Sequence, residues 1–254
     1  MKRYLQKVVY CTEPQLNHKE LDGEGILYIT DQEKCLEMLK RRGLPVAAWL
    51  REDNKSQNLS AAFYGLESPE DLDMDFYEKV YRREKGIPWD ITETDRCLVR
   101  EMIPEDAEAL AAIYRHPDIS KYLDDFPKDK ECGAQYIREY QLQYRFCEYG
   151  VWSVVEKATG NVIGRVGFSQ ITQDCMEGAI KDQPQFGYLI GVPWQRRGLA
   201  YEVCSAVLSY AEEALGFENV LLWTRKDNTA SVQLCRKLGF AETEHGYYKY
   251  SCQG

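Results

Sequence analysis

Hydrophobic and polar positions change period several times along the chain, and the changes mark out elements. Gly25 to Thr30 is a continuous apolar run of strand length and predicts a buried strand. Asp31 stands where a helix cap is wanted. Cys35, Leu36 and Leu39 then share one face of a helix over 32–42, with Gly43 to end it. Leu44 to Leu50 predicts a second strand, and strand–helix–strand predicts a parallel pair. A helix-like run from Asp75 to Lys85 is followed by Gly86, Ile87, Pro88, Trp89 and Asp90, then by polar residues to Asp95. Gly and Pro punctuate there, so the chain is expected to divide into a small α/β part over 1–90 and a larger part over 94–254.

The second part follows another order. Cys97 to Glu101 predicts a strand, and Pro104, Glu105 and Asp106 open a helix with acids at its positive end. Gln135 to Phe146 predicts another helix, with Tyr136, Tyr140 and Tyr144 four apart. Strands over 151–156 and 162–169 flank a turn at Thr159, Gly160 and Asn161. Further strands are expected over 185–190, 220–224 and 247–250, with helices before and after Val220 to Thr224. The fold class is α/β, a mixed and mostly antiparallel sheet flanked by helices.

Composition narrows the function. A net charge of -9 argues against a general nucleic-acid role, because phosphate backbones need a basic face. The nine cysteines show no CxxC pair and no zinc spacing, so a reducing cytoplasm and no metal are expected. No apolar run reaches the length of a membrane helix, and the first residues lack the core of a signal peptide.

The informative stretch runs from Gln185 to Phe217: a strand, a turn with Gly and Arg, then a long helix. Ala200, Val203, Cys204, Val207, Leu208, Ala211, Ala214 and Leu215 form its apolar face, and Gly216 ends it. The turn Gln195, Arg196, Arg197, Gly198, Leu199, Ala200 lies where that helix begins. The opening amides of a helix lack internal partners and, with the macrodipole, attract an anion. Gly198 permits close approach, and the arginines add donors suited to phosphate. Local physics therefore predicts a phosphate or diphosphate held largely by backbone. The stretch is neither GxGxxG nor GxxxxGK[ST], so dinucleotide folds and P-loop kinases are not supported.

Q-R-R-G-L-A resembles the Q/R-x-x-G-x-G/A acyl-CoA signature of GNAT acetyltransferases. The preceding Gly187, Tyr188, Leu189, Ile190 resembles the G-Y-W-L strand of the ribosomal-protein N-terminal acetyltransferase branch, the RimJ/RimL type. Asn228 to Phe240 matches N-x-x-S-x-x-L-x-x-K-x-G-F, the second half of the same cofactor site. The resemblance covers Thr94 to Tyr250 and implies a GNAT fold and an acetyl-CoA-dependent N-acetyltransferase. Its acceptor would be a primary amine of a small molecule or a protein N-terminus, attacked without an acyl-enzyme, in a monomer or homodimer.

The resemblance also implies roles. Main-chain groups of Tyr188, Leu189 and Ile190 would pair with the pantetheine arm, one amide near Leu189 polarising the thioester carbonyl. Gln195, Arg196, Arg197, Gly198, Leu199 and Ala200 would hold the pyrophosphate. Asn228 would bond the pantetheine, although its position also predicts a helix N-cap. Ser231 and Lys237 could touch the CoA tail. Two departures bear on catalysis. Gln185 stands where many relatives carry Glu, and Cys235 where many carry an acid Tyr. Cys235 and Tyr247 are then candidate acids. Glu177 is a candidate base, alongside Asp182, Glu242, Glu244, His245 or a chain of water. Tyr122, Phe126, Tyr136 and Tyr140 could line the acceptor pocket, with Asp124 and Asp125 attracting a cationic amine; core packing is the plainer reading of the aromatics. The N-terminal part resembles a piece of a HAD-type phosphatase core without its D-x-D-x-T nucleophile motif, and is expected to be a non-catalytic accessory domain. An acyl-CoA-binding sensor without catalysis is the alternative function.

Overall fold

The computed structural model describes residues 3–12, 24–123, 125–170, 183–243 and 247–252. It forms two compact units, Met1–Trp89 and Asp90–Gly254.

The first unit is built on a four-stranded parallel sheet in the order β1-β2-β3-β4. Its strands are β1 (Lys7–Cys11), β2 (Ile26–Thr30), β3 (Val46–Trp49) and β4 (Gly65–Leu66). Helix α1 (Glu33–Arg41) covers one face through Leu36 and Leu39, both fully buried. Helix α2 (Met74–Glu84) covers the other through Tyr77, Val80 and Tyr81. The outer strands β1 and β4 carry no clear period in the sequence, because β1 is a half-exposed run with only Cys11 buried and β4 is two residues long. The expected cap Asp31 is corrected. Gln32 is the N-cap and no side chain caps α1, while Asp31 instead holds Gln32 Nε2 (3.1 Å) and Arg51 (3.4 Å). At α2 the cap is Asp73, whose Oδ1 accepts from Phe76 N at 2.7 Å.

The second unit carries an eight-stranded sheet in the order β11-β12-β10-β9-β8-β7-β6-β5. Its strands are β5 (Asp90–Glu93), β6 (Cys97–Arg100), β7 (Val151–Glu156), β8 (Val162–Gln170), β9 (Pro184–Ile190), β10 (Asn219–Trp223), β11 (Ala241–Glu242) and β12 (Tyr247–Ser251). All neighbours are antiparallel except β9 and β10, which run parallel. Helices α3 (Ala107–Tyr114), α4 (Pro117–Ser120) and α5 (Lys130–Cys147) come before β7, α6 (Leu199–Glu213) links β9 to β10, and α7 (Thr229–Lys237) follows β10.

Side chains on one face of this sheet pack under α3 and α5, around Met102, Leu110, Tyr114, Ile137 and Leu189. Those on the other face meet α6: Trp152 packs edge-on against Phe168 and against Tyr210 of α6. One buried carboxylate anchors the α3 side. Asp106 takes two bonds from Arg100 (2.7 Å each), one from Ser153 Oγ (2.7 Å) and one from the Ile103 amide (3.1 Å). It thereby ties the turn before α3 to β6 and β7. Helix α5 starts at Lys130, five residues before the expected Gln135, because Asp129 Oδ1 caps it through the Cys132 amide at 2.8 Å. The segment expected to be a polar linker forms edge strand β5.

Candidate active site

Two sheet strands separate where the chemistry is expected. β9 pairs with β8 along its whole length, from Pro184 to Ile190. It meets its other neighbour, β10, only at Gln185 opposite Leu221. Beyond that contact the pairing stops, and among the described residues the β9 edge toward β10 is left without a strand partner.

Register decides which groups line the opening. Antiparallel pairs alternate between bonded and non-bonded residues. Gly191 N donates to Ile163 O (2.8 Å) at the end of the β8–β9 ladder, and Arg165 pairs with Leu189 two residues along. Leu189 therefore turns its N–H and C=O toward β8, whereas Tyr188 and Ile190 turn theirs toward the opening. Of the amides near Leu189, the ones that face the opening are therefore those of Tyr188 and Ile190. The Ile190 carbonyl already accepts from Gln195 Nε2 at 2.8 Å, which pins the following turn to the strand end.

The turn enters α6 through two left-handed residues, Arg196 (φ 58°) and Gly198 (φ 79°). Gly198 is the N-cap and no side chain caps the helix. The first backbone bond inside α6 runs from Glu202 N to Gly198 O (3.1 Å), so the amides of 199–201 open the helix outward. Leu199 is buried and anchors that end, while Gln195, Arg196, Arg197 and Gly198 are exposed. The guanidinium of Arg197 pairs with Glu156 at 3.3 Å, and the same carboxylate takes Thr159 Oγ1 (2.9 Å) and Trp194 Nε1 (3.4 Å). Arg197 thus braces the turn against β7, and Arg196 is the arginine left at its rim.

On the α6 side of the opening, Asn228 Oδ1 caps α7 by accepting from Ser231 N at 3.3 Å. Tyr188 reaches across to donate to Ser231 Oγ at 3.1 Å. Cys235 is fully buried one turn further along α7. Burial pushes its thiol up to about 11, against which Ser231 offers a hydrogen bond. Burial likewise pushes the Tyr188 hydroxyl up. Both groups keep their protons at neutral pH. Lys237 stands over the ring of exposed Tyr201 at 4.1 Å. Tyr247 is buried and pairs across the sheet with Trp223, the packing position that a tyrosine on an inner strand takes. Glu177 lies outside the described residues, as do Asp124, Asp182, Glu244 and His245.

The opposite face offers an approach. Gly187 lies in mid-sheet yet is exposed, and a Cβ added there meets nothing within 4 Å. Close by in the same β8–β9 ladder, Arg165 is buried at 6% exposure, a residue the sequence reading did not single out. It ion-pairs with Asp125, donates to Tyr136 Oη (3.2 Å) and stacks over Tyr114 (5.0 Å) and Phe126 (5.9 Å). Tyr114 donates to the other oxygen of Asp125 at 3.0 Å. Of the aromatics expected to line a pocket, Phe126 and Tyr136 therefore hold a buried guanidinium, Tyr140 stands behind Tyr136 (hydroxyls 3.3 Å apart), and Asp125 already carries a cation. Tyr122 lies at the rim, its hydroxyl 3.4 Å from the Asp227 carbonyl. Among the described residues no group of His, Cys, Asp and Glu could hold a metal, and no helix is long and apolar enough to cross a membrane.

The parted strand pair and the uncapped helix start at its mouth lie inside a stretch of chain shared with one family of acyltransferases. The family model described as "Acetyltransferase (GNAT) domain" matches residues 96–241, more than half of the chain, and the protein belongs to that family of acetyltransferases. It is 30% identical over 151 residues to the uncharacterized N-acetyltransferase YoaA of Bacillus subtilis (strain 168), covering 59% of this chain and 82% of the relative. It is 26% identical over 164 residues to the [ribosomal protein uS5]-alanine N-acetyltransferase of Escherichia coli (strain K12), covering 61% and 79%. The ribosomal-protein-S5-alanine acetyltransferase of Vibrio fischeri shares the fold with a TM-score of 0.54 at 15% identity, over 64% of this chain and 96% of that one. So does the microcin C7 self-immunity acetyltransferase MccE, solved with acetyl-CoA and AMP, with a TM-score of 0.50 at 15% identity over 63% and 94%.

Proposed function

We propose that the protein transfers the acetyl group of acetyl-CoA directly to a primary amine, of a small molecule or a protein N-terminus. The observation that carries the reading is the strand edge from Gly187 to Ile190, unpaired toward β10 and ending at the start of α6. A pantetheine arm has amide groups that pair with such an edge as an added strand does. The amides of 198–201 suit a diphosphate, and Arg196 adds charge at the rim. In this reading the Ile190 amide faces the thioester carbonyl and stabilises the oxyanion that forms on attack. The S5-alanine acetyltransferases among the relatives favour a protein N-terminus as acceptor.

The acceptor approaches over Gly187, where a Cβ would meet nothing within 4 Å among the described residues. Gln185 can orient a water there but cannot take a proton at neutral pH, so the amine's proton leaves through solvent. On the other face Tyr188 donates to Ser231 and Ser231 to Cys235, all neutral. With the hydroxyls turned over, Tyr188 can give its proton to the leaving thiolate and take one from Ser231, and Ser231 one from Cys235. The thiolate of Cys235 then regains its proton from solvent by the reverse path. Cys235 acts through Ser231 in this scheme, since its sulfur has no path of its own.

Residues 1–90 are read as an accessory domain. Asp71, Asp73 and Asp75 are exposed at the start of α2, where Asp73 caps the helix and Asp75 pairs with Arg3, an arrangement unlike a phosphatase nucleophile at a strand end. The test is free thiol release from acetyl-CoA mixed with a panel of amines and N-terminal peptides. Release that depends on one acceptor supports the reading, whereas tight CoA binding without release to any acceptor returns the sensor.

A further inference from the structure

An arginine remote in sequence holds the turn before α6 from behind. Arg96, in the loop between β5 and β6, donates its main-chain N–H to Glu202 Oε1 (3.0 Å) and its Nε to Oε2 (2.7 Å). Its Nη1 donates to the carbonyl of Arg197 at 2.8 Å. A Cβ at Gly198 would lie 3.5 Å from Nη2, so the guanidinium rests against the turn itself. Partial burial works against the charge of Glu202, but bonds from Thr94 and Arg96 hold its carboxyl below the usual range.

The carbonyl of Arg197 and the N–H of Gly198 belong to one planar trans peptide and point in opposite directions. Fixing the carbonyl on Arg96 fixes the N–H on the other side, away from the guanidinium. Without that bond the peptide could turn over, because glycine accepts either sign of φ. A charged donor on the carbonyl also strengthens the N–H on the far side as a donor. Through Glu202 the same arginine holds the first turn of α6, so the amides of 198–201 move as one set.

We infer that Arg96 is a positioning residue for the diphosphate of the co-substrate. It aims the Gly198 amide and the start of α6 at the anion, and so sets the preference for CoA over bare pantetheine. The inference rests on the reading of the turn as the diphosphate site.

Calorimetry with CoA and with pantetheine tests it on the full chain in wild type, Arg96→Met, Arg96→Lys and Gly198→Glu. Lysine keeps the charge but cannot reach Glu202 and the Arg197 carbonyl together, and it serves if the methionine variant does not fold. Losing one charge-assisted bond and the alignment it enforces predicts CoA affinity about tenfold weaker, with pantetheine affinity shifted less than about twofold. Equal weakening of both ligands marks a general structural loss and overturns the inference. So does unchanged CoA affinity in the Arg96 variants while Gly198→Glu abolishes it. Unchanged CoA affinity in Gly198→Glu overturns the diphosphate reading itself.

Discussion

Replacing Gly187 by valine separates the acceptor side of the site from the CoA side. Gly187 is exposed in the middle of β9, and a Cβ there meets nothing within 4 Å. Its φ is not in the left-handed range, so a branched side chain suits the strand, and added β-propensity contributes up to about 1 kcal/mol. The valine variant should melt at or slightly above the wild-type temperature. Its main-chain groups face β8, so CoA binding should persist. The three added carbons stand where the amine must come to within about 3–3.5 Å of the thioester carbon. A displacement of about 1 Å costs on the order of 100-fold in rate. Steady-state assays with the acceptor found in the amine screen should therefore show kcat/KM down 10- to 100-fold, a loss of about 1.4–2.8 kcal/mol in transition-state stabilisation. Wild-type kcat/KM in a folded Gly187→Val enzyme would refute an approach over this face.

Further outcomes follow from the same geometry. Tyr188→Phe and Cys235→Ala should each lower kcat with the KM for acetyl-CoA little changed, because the run from Cys235 through Ser231 to Tyr188 serves the leaving thiolate; unchanged kcat in both variants removes that role. Asp106→Asn leaves the half-buried Arg100 beside a neutral amide and should cost about 2–3 kcal/mol, read as a fall in the urea midpoint. The folded state holds the proton of Cys235 more tightly than the unfolded chain. Its stabilising contribution is therefore full below pH 9.0 and is lost as pH rises from there toward about 11. Denaturant titrations of wild type and Cys235→Ala should diverge in that window and run parallel below it.

What the sequence made legible was local. The turn from Gln195 to Ala200 and the face of α6 lie within a few residues of each other. Of the expected apolar face Val203, Cys204, Val207, Leu208 and Ala211 are buried, whereas Ala200 is half-buried and, past the last turn, Ala214 is exposed and Leu215 half-buried. Asn228 caps α7 as its position predicts. The parting of β9 from β10 depends on which strands pair, and no period within one strand encodes that. For the same reason the sequence leaves open which amide near Leu189 faces the opening: strand parity needs the register against Arg165. Arg96 and Arg165 read as ordinary surface cations in a polar loop and an alternating strand. Their partners, Glu202 and Asp125, come from distant segments. The onset of α5 was missed because its first turn is polar, and the cap at Asp129 is plain only once the Cys132 amide is seen on it.

The central claim is that the opened edge of β9 and the uncapped start of α6 form one binding surface for CoA. Titrating CoA into isotopically labelled protein and following backbone amide resonances tests it directly. The largest shifts should fall on Tyr188, Ile190 and 198–201, with Leu189 much less affected. Shifts concentrated in residues 3–89, or on the face of α5, would contradict the account.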